Sequence, residues 1–290
     1  MTTLAVLSDI HGNLPALEAV MNDLVGTHVD QVVVAGDVIN WGPFSAACVD
    51  IVAREGWPVI RGNNEYYLLD YNTPRAPAGW RDERQWPLLP WLHEQLRGSR
   101  QQRIAAWPDD ISLRFPDGPP IRMVHGSCRS PWEGIYALDE EMVNLTKLGG
   151  TEESYIIAGH THLAMDMQVN RWRVFNPGTV GVPLDGTFCA QYMLLRTTGD
   201  GWLPEFRRVS FDHAPLFDEF ERQAFTSRCG VMGQMVLDEF CTARLVVMPF
   251  LTWRNAECTD APITPELYDA YKRTDTQQYA PPAYRSHDAK

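Results

Sequence analysis

IIAGHTH, residues 156–162, is an apolar run that stops at a glycine and then presents two histidines two positions apart. Four earlier runs share that build: SDIHGN (8–13), AGDV (35–38), RGNNE (61–65) and VHGS (124–127). Leu4 to Leu7 leads into the first, Val32 to Ala35 into the second, and Met123 and Val124 into the fourth. Short apolar stretches of this kind are the pattern of strands buried on both faces. A chain that places polar ligand-type residues where several such strands end, with helical patterns between them, reads as α/β. Open α/β sheets bind their ligands at that edge. Gly12, Gly36, Gly62, Gly126 and Gly159 stand beside these residues, and glycine permits close backbone approach to an ion or a phosphate.

The five runs contribute Asp9, His11, Asp37, Asn63, His125, His160 and His162. Carboxylate, amide and imidazole without thiolate suit a divalent first-row metal such as Mn, Fe, Co, Ni or Zn better than a structural cysteine site. Seven ligands exceed what one four-coordinate ion takes. They fit two ions sharing a carboxylate, an arrangement used above all in phosphoryl chemistry. Singly, a DxH or HxH pair carries little information and a GD after an apolar run is often a simple turn. What excludes coincidence is that four of the eight histidines fall in these runs. His28, His93, His213 and His287 have no such context and read as surface residues.

SDIHGNLPALEAV, VVVAGDVINWGP, RGNNE, VHGS, IIAGHTH and FNPGTVGVP together resemble the calcineurin-like metallophosphoesterase superfamily, and most of all its bacterial and archaeal branch of small phosphodiesterases. The resemblance runs from about Leu4 to about Pro183 and on to the strand near Tyr192. It implies two facing mixed sheets with helices outside, an αββα sandwich. It further implies that Asp9, His11 and His162 hold one metal, that Asn63, His125 and His160 hold the other, and that Asp37 bridges both. Asn13 would line the pocket. The turn Asn176–Pro177–Gly178 would support the metal loops through outer contacts. The implied activity is hydrolysis of a phosphodiester or an activated monoester, with a metal-bridging hydroxide as nucleophile.

One position departs from the family. Many members read Gly-Asn-His-Asp or Gly-Asn-His-Glu where this chain reads Gly62, Asn63, Asn64, Glu65. That histidine is held to protonate the leaving oxygen or to bind the phosphate. An amide donates a hydrogen bond but delivers no proton near neutral pH, and loss of a positioned general acid typically costs about 10²–10⁴ in rate. Asn64, with Asn13 and Glu65, is therefore a candidate catalytic residue, and Glu65 a candidate acceptor for a ligand or for Arg61. Trp41, Tyr66 and Arg129 are candidate substrate contacts.

Composition narrows the partners. The chain has 290 residues, 25 Lys plus Arg against 37 Asp plus Glu, and a formal net charge of −12. Nonspecific nucleic-acid binders carry a basic face, so a long DNA or RNA substrate is disfavoured. A small anionic phosphate ester is not, because two divalent ions with Asp9 and Asp37 leave a local charge of about +2. No window approaches a membrane span, and no charged n-region and apolar h-region mark a signal peptide. Six cysteines at irregular spacing without a CxxC pair read as reduced thiols of a cytoplasmic protein.

Residues 1–210 are expected to form the core. Leu14, Leu17, Val20, Met21 and Leu24 follow a helical stripe behind Pro15, and Phe44 to Arg54 reads as a second helix. Residues from about 65 to 110 read as a helical insert above the metal edge. Residues 211–273 read as a helical appendage with helices over 214–225 and 230–241, and with Leu245 to Trp253 as a strand or extended arm. From Thr274 to residue 290 the composition suggests a disordered tail. The C-terminal helices either cap the site or join copies in a homo-oligomer; the sequence leaves both open. The same fold serves as a non-enzymatic scaffold in the retromer complex, where the metal site is degenerate. Against that reading stands the complete ligand set. A nucleotide or protein phosphomonoesterase is the enzymatic alternative, disfavoured by Asn64.

Overall fold

The computed structural model describes residues 1–259 and 261–285. Strands β1 (Thr3–Leu7) and β2 (Gln31–Val34) pair in parallel, joined by helix α1 (Leu14–Val25). Asn13 caps α1, accepting from the Ala16 N–H at 3.2 Å, and Pro15 sits in the first turn, where no N–H is missed. Helices α2 (Ser45–Arg54), α3 (Asn63–Asp70), α4 (Leu88–Leu96) and α5 (Ser99–Ala105) follow. Then come β3 (Asp110–Phe115), β4 (Gly118–Val124), α6 (Glu141–Leu148), β5 (Tyr155–Ile157), β6 (Met165–Val169) and β7 (Trp172–Asn176). The antiparallel pair β8 (Cys189–Thr197) and β9 (Trp202–Ser210) returns to β1. Helices α7 (Ala214–Arg222), α8 (Phe225–Thr242), α9 (Val247–Glu257) and α10 (Pro265–Lys272) complete the described elements.

Two mixed sheets result, ordered β2-β1-β8-β9 and β3-β4-β5-β7-β6. Alternation along β1 explains how they pack. Leu4 and Val6 point into a cluster with Ile121, Met123, Ile157 and Phe175 of the other sheet. Ala5 and Leu7 point the other way, into a cluster with α1, α2, α4 and the C-terminal helices. Side chains of a strand alternate between faces, so a strand covered on both sides is apolar throughout, and all five residues of β1 are buried. A smaller cluster packs Leu148 of α6 on the outer face of the second sheet, against Ile156 and Val174. The fold is thus the expected α/β arrangement of two mixed sheets flanked by helices.

Two local expectations change. The segment from Leu245 to Trp253 contains the start of α9 and is no strand or extended arm. Its β-branched residues favour strand, but Pro249 falls in the first helical turn, where it costs nothing, and Glu239 of α8 accepts from the N–H groups of Val246 and Val247 at 2.8 and 2.9 Å. That cap comes from a distant residue, so local pattern does not reveal it. The expected tail also differs: residues 276–279 and 282–284 form short 3-10 turns, and the buried Tyr284 hydroxyl donates to the Thr161 carbonyl at 2.7 Å. The expected disorder of residues 286–290 lies outside the described residues. Gly230, at φ 54°, kinks α8.

Phe250 is fully buried among Trp253, Tyr268 and Tyr271, within the same apolar cluster as Leu7 and Val34. Phe250→Ala is expected to cost about 3–5 kcal/mol and to lower the midpoint of a single unfolding transition. Urea titrations followed by helix signal and by tryptophan fluorescence check this. Loss of helix signal well before the fluorescence change would mean that the C-terminal helices unfold on their own.

Candidate metal centre and its cavity

β1, β2, β4 and β5 end at one edge, and the chain turns sharply at each end. Asp9, His11, Asp37, His160 and His162 all hold positive φ, between 50° and 67°. Non-glycine residues in that region are uncommon and carry of order 1–3 kcal/mol of strain each. Interlocked backbone contacts hold them there. Asp9 N–H donates to the Gly36 carbonyl at 3.1 Å, His11 N–H to the Asp37 carbonyl at 2.9 Å, and Gly181 N–H to the Asp9 carbonyl at 2.9 Å. Asn176 ties down the loop of the two histidines, donating to the Gly159 carbonyl and to the Thr161 hydroxyl oxygen at 2.7 and 3.0 Å. At Gly62 a side chain is excluded by space, since a Cβ would lie 2.1 Å from Asp37 Oδ1.

The edge brings all seven ligand-type residues of the sequence motifs together. Asp9, His11 and His162 form one group of converging donor atoms, and Asp37, His125 and His160 another. Asn63 joins the second, with Oδ1 at 3.0 Å from His125 Nε2 and 2.8 Å from His160 Nδ1. The groups touch: His125 Nε2 lies 3.2 Å from Asp37 Oδ2 and 4.0 Å from Asp9 Oδ1, and His11 Nε2 lies 3.7 and 3.8 Å from the same two atoms. Backbone carbonyls fix two tautomers. His125 Nδ1 bonds the Ala35 carbonyl at 2.8 Å and His162 Nδ1 the Val182 carbonyl at 2.7 Å. That leaves each Nε2 lone pair facing the centre, as metal-ligating histidines are held. Asp9 Oδ1 and His11 Nδ1 are buried without a hydrogen-bond partner, and the two imidazole nitrogens His11 Nε2 and His162 Nε2 face each other at 3.1 Å. This donor set fits divalent cations: it has converging lone pairs and too few protons to satisfy them.

Electrostatics agree. Burial pushes His11 and His160 down to about 4. Burial also opposes charge on His125, yet Asp37 and Asp9 push it up to about 10. Burial opposes ionisation of Asp37 too, but His125, His11 and the Asn64 N–H hold its carboxyl well below the usual carboxylate range. The buried carboxylates thus favour charge on His125 and His162, whereas burial keeps His11 and His160 neutral.

The candidate catalytic residues occupy three different settings, and of them only Asn64 lines the cavity described below. Asn64 clamps Asp37: its N–H donates to Oδ1 at 2.8 Å and its Nδ2 to Oδ2 at 2.6 Å, while its Oδ1 accepts from Asn40 Nδ2 at 2.6 Å. Glu65 is fully buried and accepts from the N–H groups of Gly62, Asp37 and Val38 at 2.6, 3.0 and 2.9 Å. It fastens the Asp37 loop to the first turn of α3, and Arg61 pairs instead with Asp109 at 2.8 Å. Asn13 does not face the cavity described below, because its side chain is spent on the α1 cap and on the Gly181 carbonyl at 2.8 Å.

A cavity of about 270 Å³ opens from the metal edge towards the insert and the C-terminal helices. Trp41, a candidate substrate contact, lines it. Tyr66 does not: its hydroxyl donates to Asp109 at 2.6 Å and its ring packs under Arg61. Its neighbour Tyr67 lines the cavity. Arg129 is exposed and ion-paired with Glu133, away from the cavity. Sequence motifs gave no sign of Trp86, Trp132, Tyr136, Glu239 and Tyr284, which complete the walls. His28 is exposed, His93 and His213 are half-buried outside the cavity, and His287 lies outside the described residues.

With geometry in place, the comparisons identify the class. A model of the calcineurin-like phosphoesterase superfamily domain matches residues 2–200. The chain belongs to that superfamily of metal-dependent phosphoester hydrolases, within its small bacterial and archaeal branch. Phosphodiesterase YfcE of Escherichia coli strain K12 is 28% identical over 206 residues, covering 67% of this chain and 88% of the relative. A metallophosphoesterase from Sphaerobacter thermophilus matches with a TM-score of 0.65 at 22% identity, over 83% of this chain and 100% of that one. Hypothetical protein PH1004 from Pyrococcus horikoshii OT3 matches with a TM-score of 0.69 at 18% identity, over 84% and 100%. At those identities the two structures show the shared fold alone. No helix among the described residues is long and apolar enough to cross a membrane.

Glu239 provides a test of burial at this site. Burial pushes its carboxyl up to about 7 from an ordinary 4.5, against the N–H groups of Val246 and Val247. A raised folded value means that the stability it contributes is full below 4.5 and is lost as pH rises through about 7. Glu239→Gln, which cannot ionise, should therefore gain stability relative to wild type between about pH 5 and pH 8, by a few kcal/mol at most. Melting temperatures of the pair across that range check it. A difference that stays constant with pH would show that the carboxylate is well solvated.

Proposed function

We propose that this chain hydrolyses phosphodiesters or activated phosphomonoesters at a centre of two divalent ions. The reading assigns Asp9, His11 and His162 to one ion, Asn63, His125 and His160 to the other, and Asp37 to both; Mn, Fe, Zn, Co and Ni all suit these donors. The observation that carries it is the convergence of seven donors at one sheet edge, with Asp9 Oδ1 buried and without a hydrogen-bond partner. Two such ions supply Lewis acidity and lower the pKa of water. In the overall reaction the oxygen of water bonds to phosphorus, the bond from phosphorus to the leaving oxygen breaks, and that oxygen takes up a proton.

The chain's own groups then have definite tasks. The Ala35 and Val182 carbonyls keep His125 and His162 in the tautomer that presents Nε2 to the centre. Asn64 and Glu65 hold Asp37 in place. Tyr67 remains protonated, because burial and the charge of Asp37 raise its phenol, and it offers an O–H donor on the cavity wall. The proposal includes a small ester as substrate, no long nucleic acid, and a cytoplasmic location. It divides the chain into a phosphoesterase core over 1–210, with its helical insert, and a helical appendage over 211–273 that caps the site rather than joining copies.

Replacing Asp37 by Ala should remove more activity than the roughly 10–100-fold that loss of an outer contact costs, and should weaken both sites. Metal stoichiometry of the purified variant checks this; two ions with normal turnover would rule out Asp37 as the shared ligand. A second expectation concerns proton delivery. Asn64 has both amide atoms engaged and carries no labile proton. Rates across a series of aryl and alkyl phosphodiesters should therefore fall steeply as leaving-group pKa rises, with alkyl esters slower by about 10²-fold or more. A flat series would mean that another group protonates the leaving oxygen.

A further inference from the structure

The cavity beside the metal edge has a chemistry that the metal ligands do not explain. Trp41, Tyr67, Trp86, Trp132, Tyr136 and Tyr284 contribute aromatic walls. Several are set against one another: Tyr67 meets Trp132 edge to face at 5.1 Å between centroids and Trp86 at 6.4 Å, and Tyr136 meets Tyr284 edge to face at 6.0 Å. Among the described residues, no lysine or arginine lines the cavity. The carboxylate among the described lining residues other than the metal-edge Asp37 is Glu239, only 3% exposed. Its Oε1 accepts from the Val246 and Val247 N–H groups, and the residue lines the cavity.

We propose that this cavity is a specificity subsite for a cationic organic group, an ammonium or quaternary ammonium, carried on the phosphoester that the metal edge hydrolyses. The inference rests on the phosphoesterase reading and adds the substrate class to it. Aromatic faces attract a cation through their quadrupole, more strongly where water is excluded. The Glu239 carboxyl, fixed through Oε1 by two backbone N–H groups, is the acidic group that a cation in the cavity would meet. An ester with a second phosphate would meet no lysine or arginine among the described lining residues and would face Glu239. At about 270 Å³ the space is at the small end of ligand cavities, so it suits a compact head group. A purely apolar ester would fill the aromatic walls but leave Glu239 unmatched.

The test uses three aryl phosphodiesters with one leaving group. p-Nitrophenyl phosphorylcholine carries the cation, p-nitrophenyl 3,3-dimethylbutyl phosphate is its neutral isostere, and the p-nitrophenyl ester of thymidine 5′-phosphate is the bulkier uncharged comparison. The metal-loaded full chain is expected to prefer the choline ester over its isostere by about tenfold or more in kcat/KM, through KM, within the range of cation–π effects. In Glu239→Gln the amide oxygen can still accept from Val246 and Val247, and the preference should fall to within about threefold. Met248 is 55% exposed and also lines the cavity; Met248→Glu adds a carboxylate at a helix start, where it is tolerated, and should raise the preference. That second variant keeps the test decisive if Glu239→Gln fails to fold. A wild-type ratio near one, a ratio unmoved by both substitutions, or a faster nucleotide ester would overturn the subsite. If the wild type with metal hydrolyses none of the three, nor bis(p-nitrophenyl) phosphate, the phosphodiesterase reading falls instead.

Discussion

Two carboxylates, Asp9 and Asp37, are buried around the same imidazole nitrogens, and everything at the sheet edge follows from keeping them there. Uncompensated buried charge is expensive. Here it is met by His125, at 3.2 Å from Asp37, and by His162, at 3.3 Å from Asp9. Those contacts require five residues to hold positive φ, and a strained backbone persists only where its surroundings over-determine it. Glu65 and Asn64 at the start of α3 do so for Asp37, while Asn176, with Gly181, does so for the loops of Asp9 and the paired histidines. Glu65 is itself a buried carboxylate, pushed up to about 7 by burial and by Asp37. It is tolerated because three or more N–H groups point at it. The cost of arranging the centre is thus carried by backbone donors rather than by lysine or arginine, which leaves the edge free of bulky cations that would compete for a metal.

The parts of this architecture that sequence makes legible are those written locally. A strand that is apolar at every position must be covered on both faces, so Leu4 to Leu7 announces a layered sheet. A ligand directly after such a strand must lie at its end. The seven donors could be named because each belongs to a short run whose build repeats. Asn176 is linked to them only through the family resemblance of its turn.

What stayed hidden is written across the fold. Tyr66 and Tyr67 are adjacent on α3, and one residue turns a helix by about 100°; composition could not choose which ring faces the cavity. Glu239 lies on α8, far along the chain from every motif, and its role depends on where α9 begins. The start of α9 depends in turn on the cap that Glu239 provides. Leu245 to Trp253 therefore reads as strand by local propensity and folds as helix by tertiary context. The C-terminal segment is similar. Its polar composition suggests disorder, yet the Tyr284 hydroxyl is matched to the Thr161 carbonyl inside the histidine loop, and one buried hydrogen-bonded aromatic offsets the ordering of a short turn.

These two kinds of information map onto two functions. The donors for metal sit on strand ends of the sandwich, where geometry is rigid and a local motif suffices to specify it. The cavity wall is drawn from the insert, the loop after β4, α8, α9 and the C-terminal turn. These elements are joined to the sheets by packing and by polar contacts, Phe250 in one apolar cluster with Leu7 and Val34 and Tyr284 on Thr161. A chain built this way can keep one chemistry while its substrate preference changes, since fold and reaction class constrain only the edge and leave the wall to be shaped separately. Among the described residues that wall holds no lysine or arginine; on the proposed reading the metal ions would answer the phosphate, and the wall would answer whatever the phosphate carries.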